Sequence, residues 1–211
     1  MLKSVKNYAL IVLLSVIFLN QFFVAKAETF NVKIKEIQGE INRDNLNEAI
    51  EKIKEISTSN ENQQEQINIL FGDIYLKINQ PKKAEEFYQK SFFSSDQDIE
   101  ALSFIGLAEV RLLQGKLDDA INYAEQSIRI NSHKIRPKII LAIAKTRIGE
   151  GEEGIKILNE LYNNRKNAEI ALAIADYYSA FDDNKQSISI LEYFIKKYPN
   201  NIKVLKQLSI L

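Results

Sequence analysis

The stretch INILFGDIYLKINQPKKAEEFYQKSF, residues 67–92, contains two amphipathic segments separated by Asn79-Gln80-Pro81. Apolar residues recur in the first segment at spacings of three and one, which is typical of one face of an α-helix: Ile67, Leu70, Phe71, Ile74, Tyr75 and Ile78. A second helix is predicted to begin at Pro81, because the first turn of a helix tolerates a residue that has no N–H. Its apolar or small face consists of Ala84, Phe87, Tyr88, Ser91 and Phe92.

The same helix–turn–helix pattern recurs along the chain. The pair Phe71-Gly72 has three later counterparts, whose small residues follow at steps of 36, 34 and 33: Leu107-Ala108, Leu141-Ala142 and Ile174-Ala175. In the second helix, the small residue Ala84 has counterparts at the same three steps: Ala120, Gly154 and Ser187. The intervening turns fall on residues that favour turns or helix ends: Asn79, Gly115, Gly149 and Asp182.

A small residue on each helix allows the two backbones to approach closely where the helices cross. One helix pair cannot bury its apolar face alone, so neighbouring pairs must stack and share a core. The sequence therefore predicts an all-α solenoid.

A unit of about 34 residues with a large–small pair in the first helix and a small residue in the second resembles the tetratricopeptide repeat. A tyrosine that follows the pair in that family is present at Tyr75 and Tyr178, but Arg111 and Lys145 replace it in the middle units. The resemblance implies a right-handed superhelical solenoid of antiparallel helix pairs. It also implies a role in protein–protein interaction.

The repeat frame predicts the organisation of the whole chain. Ile37 stands where the repeat has its small residue, so residues 28–43 are predicted to be an atypical cap whose helicity the pattern leaves open. Gly154 makes the third unit the weakest, because glycine is a poor helix former. The predicted parts are a signal peptide at 1–27, a cap and partial repeat at 28–64, four repeats at 65–100, 101–134, 135–167 and 168–200, and a capping helix at 201–211.

The N-terminus predicts export. Lys3 and Lys6 precede an apolar run at residues 9–19, and Ala25-Lys26-Ala27 follows it. This order is typical of a secretory signal peptide, with cleavage after Ala27 and a periplasmic mature protein. The alternative is an uncleaved inner-membrane anchor at residues 8–25, with the repeats facing the periplasm.

The composition argues against an enzyme, a cofactor and nucleic acid. The chain has no cysteine and one histidine, His133, in a predicted turn, so an ordinary zinc set cannot form. Gly149, Gly151 and Gly154 lack the preceding strand and the following Lys-Ser/Thr of a phosphate loop. Basic and acidic residues number 28 each, so no basic excess points to nucleic acid. An enzyme with a site in the solenoid groove stays an alternative, and it would need several polar residues to converge there.

The resemblance also implies a site. In the family, the first helix of each unit lines the concave face, with the fifth and ninth residues directed there. The fifth residues are Ile69, Ile105, Ile139 and Leu172, and the ninth are Asp73, Glu109, Ile143 and Asp176. An apolar strip bordered by carboxylates favours a protein or peptide partner with apolar anchors and some positive charge. The alternative is that these isoleucines only pack against the next helix and that the acids are only solvated.

The predicted function is a non-enzymatic interaction scaffold of the bacterial cell envelope. The alternative is a membrane-anchored subunit of an envelope assembly, secretion or polysaccharide export machine. Chaperone-binding members of the family clamp a terminal carboxylate with Lys and Asn at groove positions, and this chain has neither there.

Overall fold

A computed structural model of the chain describes residues 29–58 and 60–211. Within these residues all regular secondary structure is helical, so the prediction of an all-α fold is confirmed. Helix α1 covers residues 29–42. It is followed by α2 (Leu46–Lys54), α3 (Glu61–Lys77), α4 (Pro81–Gln89), α5 (Gln97–Leu113), α6 (Leu117–Ile130), α7 (Arg136–Arg147), α8 (Gly151–Asn164), α9 (Ala168–Ala180), α10 (Asn184–Lys197) and α11 (Ile202–Leu208).

Local chemistry sets the helix ends. The side chain of Asn60 accepts a hydrogen bond from the Gln63 backbone N–H at 2.9 Å and caps α3. Side chains also cap the starts of α5, α9, α10 and α11. All four turns expected between paired helices contain a residue with positive φ, the conformation that ends many helices: Asn79 (57°), Gly115 (72°), Gly149 (102°) and Asp182 (59°).

The helices form two layers. The first helices of successive pairs, α3, α5, α7, α9 and α11, pack side by side. From α4 to α10, each second helix packs against its own first helix and against the first helix of the next pair. Comparable packing between successive second helices is absent in the part of the chain that the structure describes. The first helices therefore form one continuous layer, which we call the inner layer.

The N-terminal cap is helical, which settles what the sequence left open. Ile37, at the place of the small residue, is 1% exposed and packs with Ile41, and with Ala49 on α2. Because Ala49 supplies the small side chain at this crossing, the large Ile37 fits. Residues of α3 close the same cluster, so the cap covers the N-terminal end of the first full unit.

A polar network fixes the cap to α2. Glu40 accepts hydrogen bonds from Asn45 at 2.9 Å, from Arg43 at 2.8 Å and from Lys52 at 3.2 Å. These bonds stabilise the ionised carboxylate, and they lower the pKa of Glu40 to about 2. The network therefore ties α1, the turn and α2 together while Glu40 is charged.

This network predicts a pH-dependent contribution to stability. In the unfolded chain the pKa of a glutamate is about 4.3, so the lowered pKa stabilises the fold above that pH. This contribution is lost as the pH falls toward about 2. We expect the native protein to be more stable than the Glu40→Gln variant at about pH 6. Urea unfolding at a series of pH values should show this difference vanish toward about pH 2, and a constant difference would contradict the network's role.

Tyr88 on α4 lies between two inner helices and is fully buried. Its ring packs against Gly72 of α3 and Gly106 of α5, and a Cβ on either glycine would overlap the ring. The Tyr88 hydroxyl donates to Asp73 at 2.7 Å. The small residue at position 72 therefore makes room for an aromatic ring that joins one helix pair to the next.

Gly154 has a packing role that its low helix propensity conceals. It is buried where α8 crosses α7. A Cβ at this position would lie 2.6 Å from the carbonyl oxygen of Ala142 and would overlap the hydroxyl of Thr146. Glycine is therefore the residue that allows these backbones to approach, as the repeat pattern predicted for this position.

The described residues contain no helix that is both long and apolar enough to cross a membrane. The predicted signal peptide at 1–27, its cleavage site and the alternative anchor at 8–25 lie outside the described residues.

Candidate partner-binding groove

All eight groove residues predicted from the sequence lie on inner-layer helices: Ile69 and Asp73 on α3, Ile105 and Glu109 on α5, Ile139 and Ile143 on α7, and Leu172 and Asp176 on α9. Because these helices pack side by side, the residues follow one another along the inner layer, whose face the family resemblance predicts to be concave. We call this surface the groove.

The apolar part of the groove is narrower than the sequence indicates. Ile69, Ile105 and Ile139 are only 5%, 6% and 4% exposed, because they fill the seams between neighbouring helices. Ile143 and Leu172 are half-buried and keep part of their surface open. Apolar contact with a partner is therefore available mainly in the C-terminal half of the groove.

In the N-terminal half of the groove, two hydrogen bonds hold the carboxylate of Asp73 in place. One oxygen accepts the Tyr88 hydroxyl at 2.7 Å, and the other accepts the Gln38 amide at 3.3 Å. Burial raises the pKa of Asp73 although both hydrogen bonds oppose this effect. Burial, together with the charge of Asp73, raises the pKa of Tyr88 well above its ordinary value. Asp73 is therefore a positioned group that faces a poorly solvated surface.

An ion-pair bridge crosses three inner helices in the middle of the groove. Arg136 at the start of α7 pairs with Glu109 on α5 and, at 3.0 Å, with Glu169 on α9. Burial raises the pKa of Glu109, and the Arg136 hydrogen bond opposes this rise. Burial alone would lower the pKa of Arg136, but the hydrogen bond with Glu109 and the charges of Glu109 and Glu169 raise it. The groove thus already accommodates a guanidinium between two carboxylates.

Asp176 is the most open of the predicted acids. Asp176 is exposed to solvent, and its carboxylate accepts a hydrogen bond from the side-chain amide of Gln207 on α11 at 3.4 Å. Partial desolvation raises the pKa of Asp176, and the charge of Arg147 opposes this effect. Asp176 is therefore available to a cationic group that enters the groove.

Four further residues bond to the groove acids or to one another and were not predicted as site residues: Gln38 and Tyr88 with Asp73, and Arg136 with Glu109 and Glu169. Gln38 lies 35 residues before Asp73, so the repeat step could have identified it. Arg136 and Glu169 are each the second residue of their unit, and their pairing becomes visible only when the helices are stacked. With these additions, four carboxylates and one guanidinium line the groove: Asp73, Glu109, Glu169, Asp176 and Arg136.

No model of a known protein family matches the sequence, and no curated protein matches it either. Solved structures do match. The thermophilic TPR protein TTC0263 of Thermus thermophilus is 12% identical, with a TM-score of 0.69 over 85% of this chain and 97% of that one. MamA is 16% identical, with a TM-score of 0.52 over 79% of this chain and 96% of that one.

The chain has the tetratricopeptide-repeat fold. A structure of the anaphase-promoting complex hetero-tetramer Cut9–Hcn1 also matches, at 17% identity and a TM-score of 0.61. The match covers 84% of this TPR chain and 35% of that one. Solenoids of stacked helical repeats present extended concave surfaces.

Proposed function

We propose that this protein is a non-enzymatic interaction scaffold of the bacterial cell envelope. Its groove binds a segment of a partner polypeptide that carries positive charge and apolar anchors. One observation carries the proposal: carboxylates recur on the inner helices α3, α5 and α9, at Asp73, Glu109, Glu169 and Asp176.

The electrostatics favour a cationic partner. Charges at a poorly solvated surface interact more strongly than they do in water, and Arg136 offsets only part of the negative charge. Arg136 pairs with both Glu109 and Glu169, so this groove already holds one guanidinium between two carboxylates. Ile143 and Leu172 supply apolar surface at its C-terminal half.

The absence of catalytic groupings in the composition supports a binding role over an enzymatic one. The chain has no cysteine, and its one histidine lies in a turn after α6. In the described residues, no three side chains of His, Asp or Glu are arranged to hold a metal ion. Among the described residues, the groove acids make hydrogen bonds with Gln38, Tyr88, Arg136 and Gln207.

Export is the second part of the proposal, and the order of residues in 1–27 supports it. We expect the mature protein to begin at Glu28 and to be periplasmic. N-terminal sequencing of protein recovered from the cell envelope tests this expectation. An intact N-terminus with carbonate-resistant membrane association would instead favour the anchored subunit of an assembly, secretion or export machine.

Charge reversal tests the groove. Glu169→Lys with Asp176→Lys changes two solvent-accessible groove acids on α9, which spares the buried hydrogen bonds of Asp73. We expect this double variant to capture at least about tenfold less of the native partner, since two attractive contacts become repulsive. Affinity purification from the native cells with quantitative mass spectrometry measures the loss.

A matched control separates the groove from general charge. Glu160→Lys with Glu192→Lys makes the same change in net charge at exposed positions of the second helices α8 and α10. Circular dichroism should show both double variants folded. Undiminished capture by the groove variant, or equal loss in both, would place the binding surface elsewhere.

A further inference from the structure

An open cleft lies outside the groove, where the start of α8 meets the end of α9. Its volume is about 660 Å³. It is lined by Gly149, Glu150, Gly151, Glu152, Glu153, Tyr177 and Phe181. We call it the turn cleft, because it lies at the edge of the solenoid that carries the turns within helix pairs.

Aromatic rings form one wall of the turn cleft. The ring centroids of Tyr177 and Phe181 are 4.8 Å apart and the rings are tilted by 48°. Phe181 is 57% exposed, although it is a large apolar side chain. The other wall has no side chain at Gly149 or Gly151, and a Cβ on Gly151 would lie 3.0 Å from the Phe181 ring. Gly151 therefore leaves room beside the exposed Phe181 ring.

Carboxylates form the rim. Lys145 pairs with Glu150 at 2.7 Å and with Glu153 at 3.0 Å, which fixes these two acids. Glu152 is exposed and makes no ion pair with any residue that the structure describes. Glu152 and Glu153 lie in the first turn of α8, where acidic side chains offset the positive end of the helix dipole. The rim is therefore negatively charged, with one carboxylate free to bind.

We infer that the turn cleft binds an arginine side chain from a basic segment of a partner polypeptide. A guanidinium is planar and weakly hydrated, so one arginine side chain can stack on an aromatic face and at the same time donate paired hydrogen bonds to a carboxylate. Phe181 and Tyr177 offer the aromatic face, and Glu152 offers the carboxylate. The charge of the rim is complementary to this occupant and opposes phosphates and acidic segments. The inference concerns a second surface and does not depend on the groove.

The experiment uses the purified full chain and a defined probe. The probe is a fluorescein-labelled octapeptide of alternating Arg and Gly with blocked ends, and its anisotropy reports binding. We expect saturable binding at low salt, and no binding of the same peptide with citrulline, which is flat but uncharged. Phe181→Ala should raise the Kd about threefold or more by removing the stacking face. Glu152→Lys should raise it about fivefold or more by replacing the free carboxylate with a like charge.

Glu160→Lys is the matched control, because it makes the same charge change on the same helix away from the cleft. It should leave the Kd within about twofold. Equal weakening by Glu152→Lys and Glu160→Lys, an unchanged Kd in Phe181→Ala, or no saturable binding would each overturn the inference. Weakening only by Glu169→Lys with Asp176→Lys would show that the probe sits in the groove, which would reject the turn cleft while supporting the proposed function.

Discussion

Replacing Tyr88 by alanine should lower the free energy of unfolding by about 3–5 kcal/mol. The side chain is fully buried between α3 and α5, and its ring fills the space that Gly72 and Gly106 leave open. The backbones at Gly72 and Gly106 are in close contact with this ring, so its removal leaves a cavity between two helix pairs. It also removes the hydroxyl that hydrogen-bonds to Asp73.

Tyr88→Phe separates the two contributions. The ring stays, and only the hydrogen bond to the poorly solvated Asp73 carboxylate is lost, which should cost about 1–3 kcal/mol. Urea unfolding followed by circular dichroism gives both values under the same conditions. A loss for Tyr88→Ala no larger than that for Tyr88→Phe would mean that the ring does not join the helix pairs.

Gly154→Ala should destabilise the protein by about 1–3 kcal/mol through overpacking. The added Cβ would lie 2.6 Å from the Ala142 carbonyl oxygen, a backbone atom that cannot move without shifting α7. Helix propensity acts in the opposite direction, since alanine is favoured over glycine inside a helix by about 1 kcal/mol. The sign of the measured change therefore shows which effect is larger.

Gly39→Ala is the control for this prediction. Gly39 also lies inside a helix, but a Cβ there would meet only the Arg43 side chain, at 3.7 Å. This variant should gain up to about 1 kcal/mol from helix propensity. Thermal or urea unfolding that shows both variants stabilised would contradict the close helix crossing at Gly154.

The repeat could be predicted because its signals are local. Helical periodicity and the turn residues Asn79, Gly115, Gly149 and Asp182 act within a few positions, and those four residues adopt positive φ in the structure. The helical structure of the atypical cap could not be predicted from local signals alone. Ile37 conflicts with the repeat pattern, but Ala49 on the partner helix makes room for it.

Packing between units was not visible in the sequence. Gly106 is not one of the small residues of the repeat pattern. Glycine fits at this position because a Cβ would overlap the Tyr88 ring of the preceding unit. The apolar groove positions show the same effect. The expected helix face carries Ile69, Ile105 and Ile139, but their side chains are almost fully buried because the inner helices pack side by side.

The electrostatic part of the groove also depends on tertiary structure. Arg136 pairs with Glu109 and Glu169, which are 27 and 33 residues away. Sequence reasoning placed Glu109 by its position in the unit but could not find its partner. The alternative that these acids are only solvated fails for Asp73 and Glu109, because both make side-chain hydrogen bonds.

Site-specific photo-crosslinking in the native cells tests the central claim most directly. The photoreactive residue p-benzoylphenylalanine replaces Ile143 or Leu172 in the groove, or Glu160 or Glu192 on the second helices. Mass spectrometry then identifies the adducts. We predict that both groove positions crosslink to the same partner polypeptide, through a segment that contains basic residues, and that the second-helix positions do not. Adducts formed only from Glu160 or Glu192 positions would contradict partner binding in the groove.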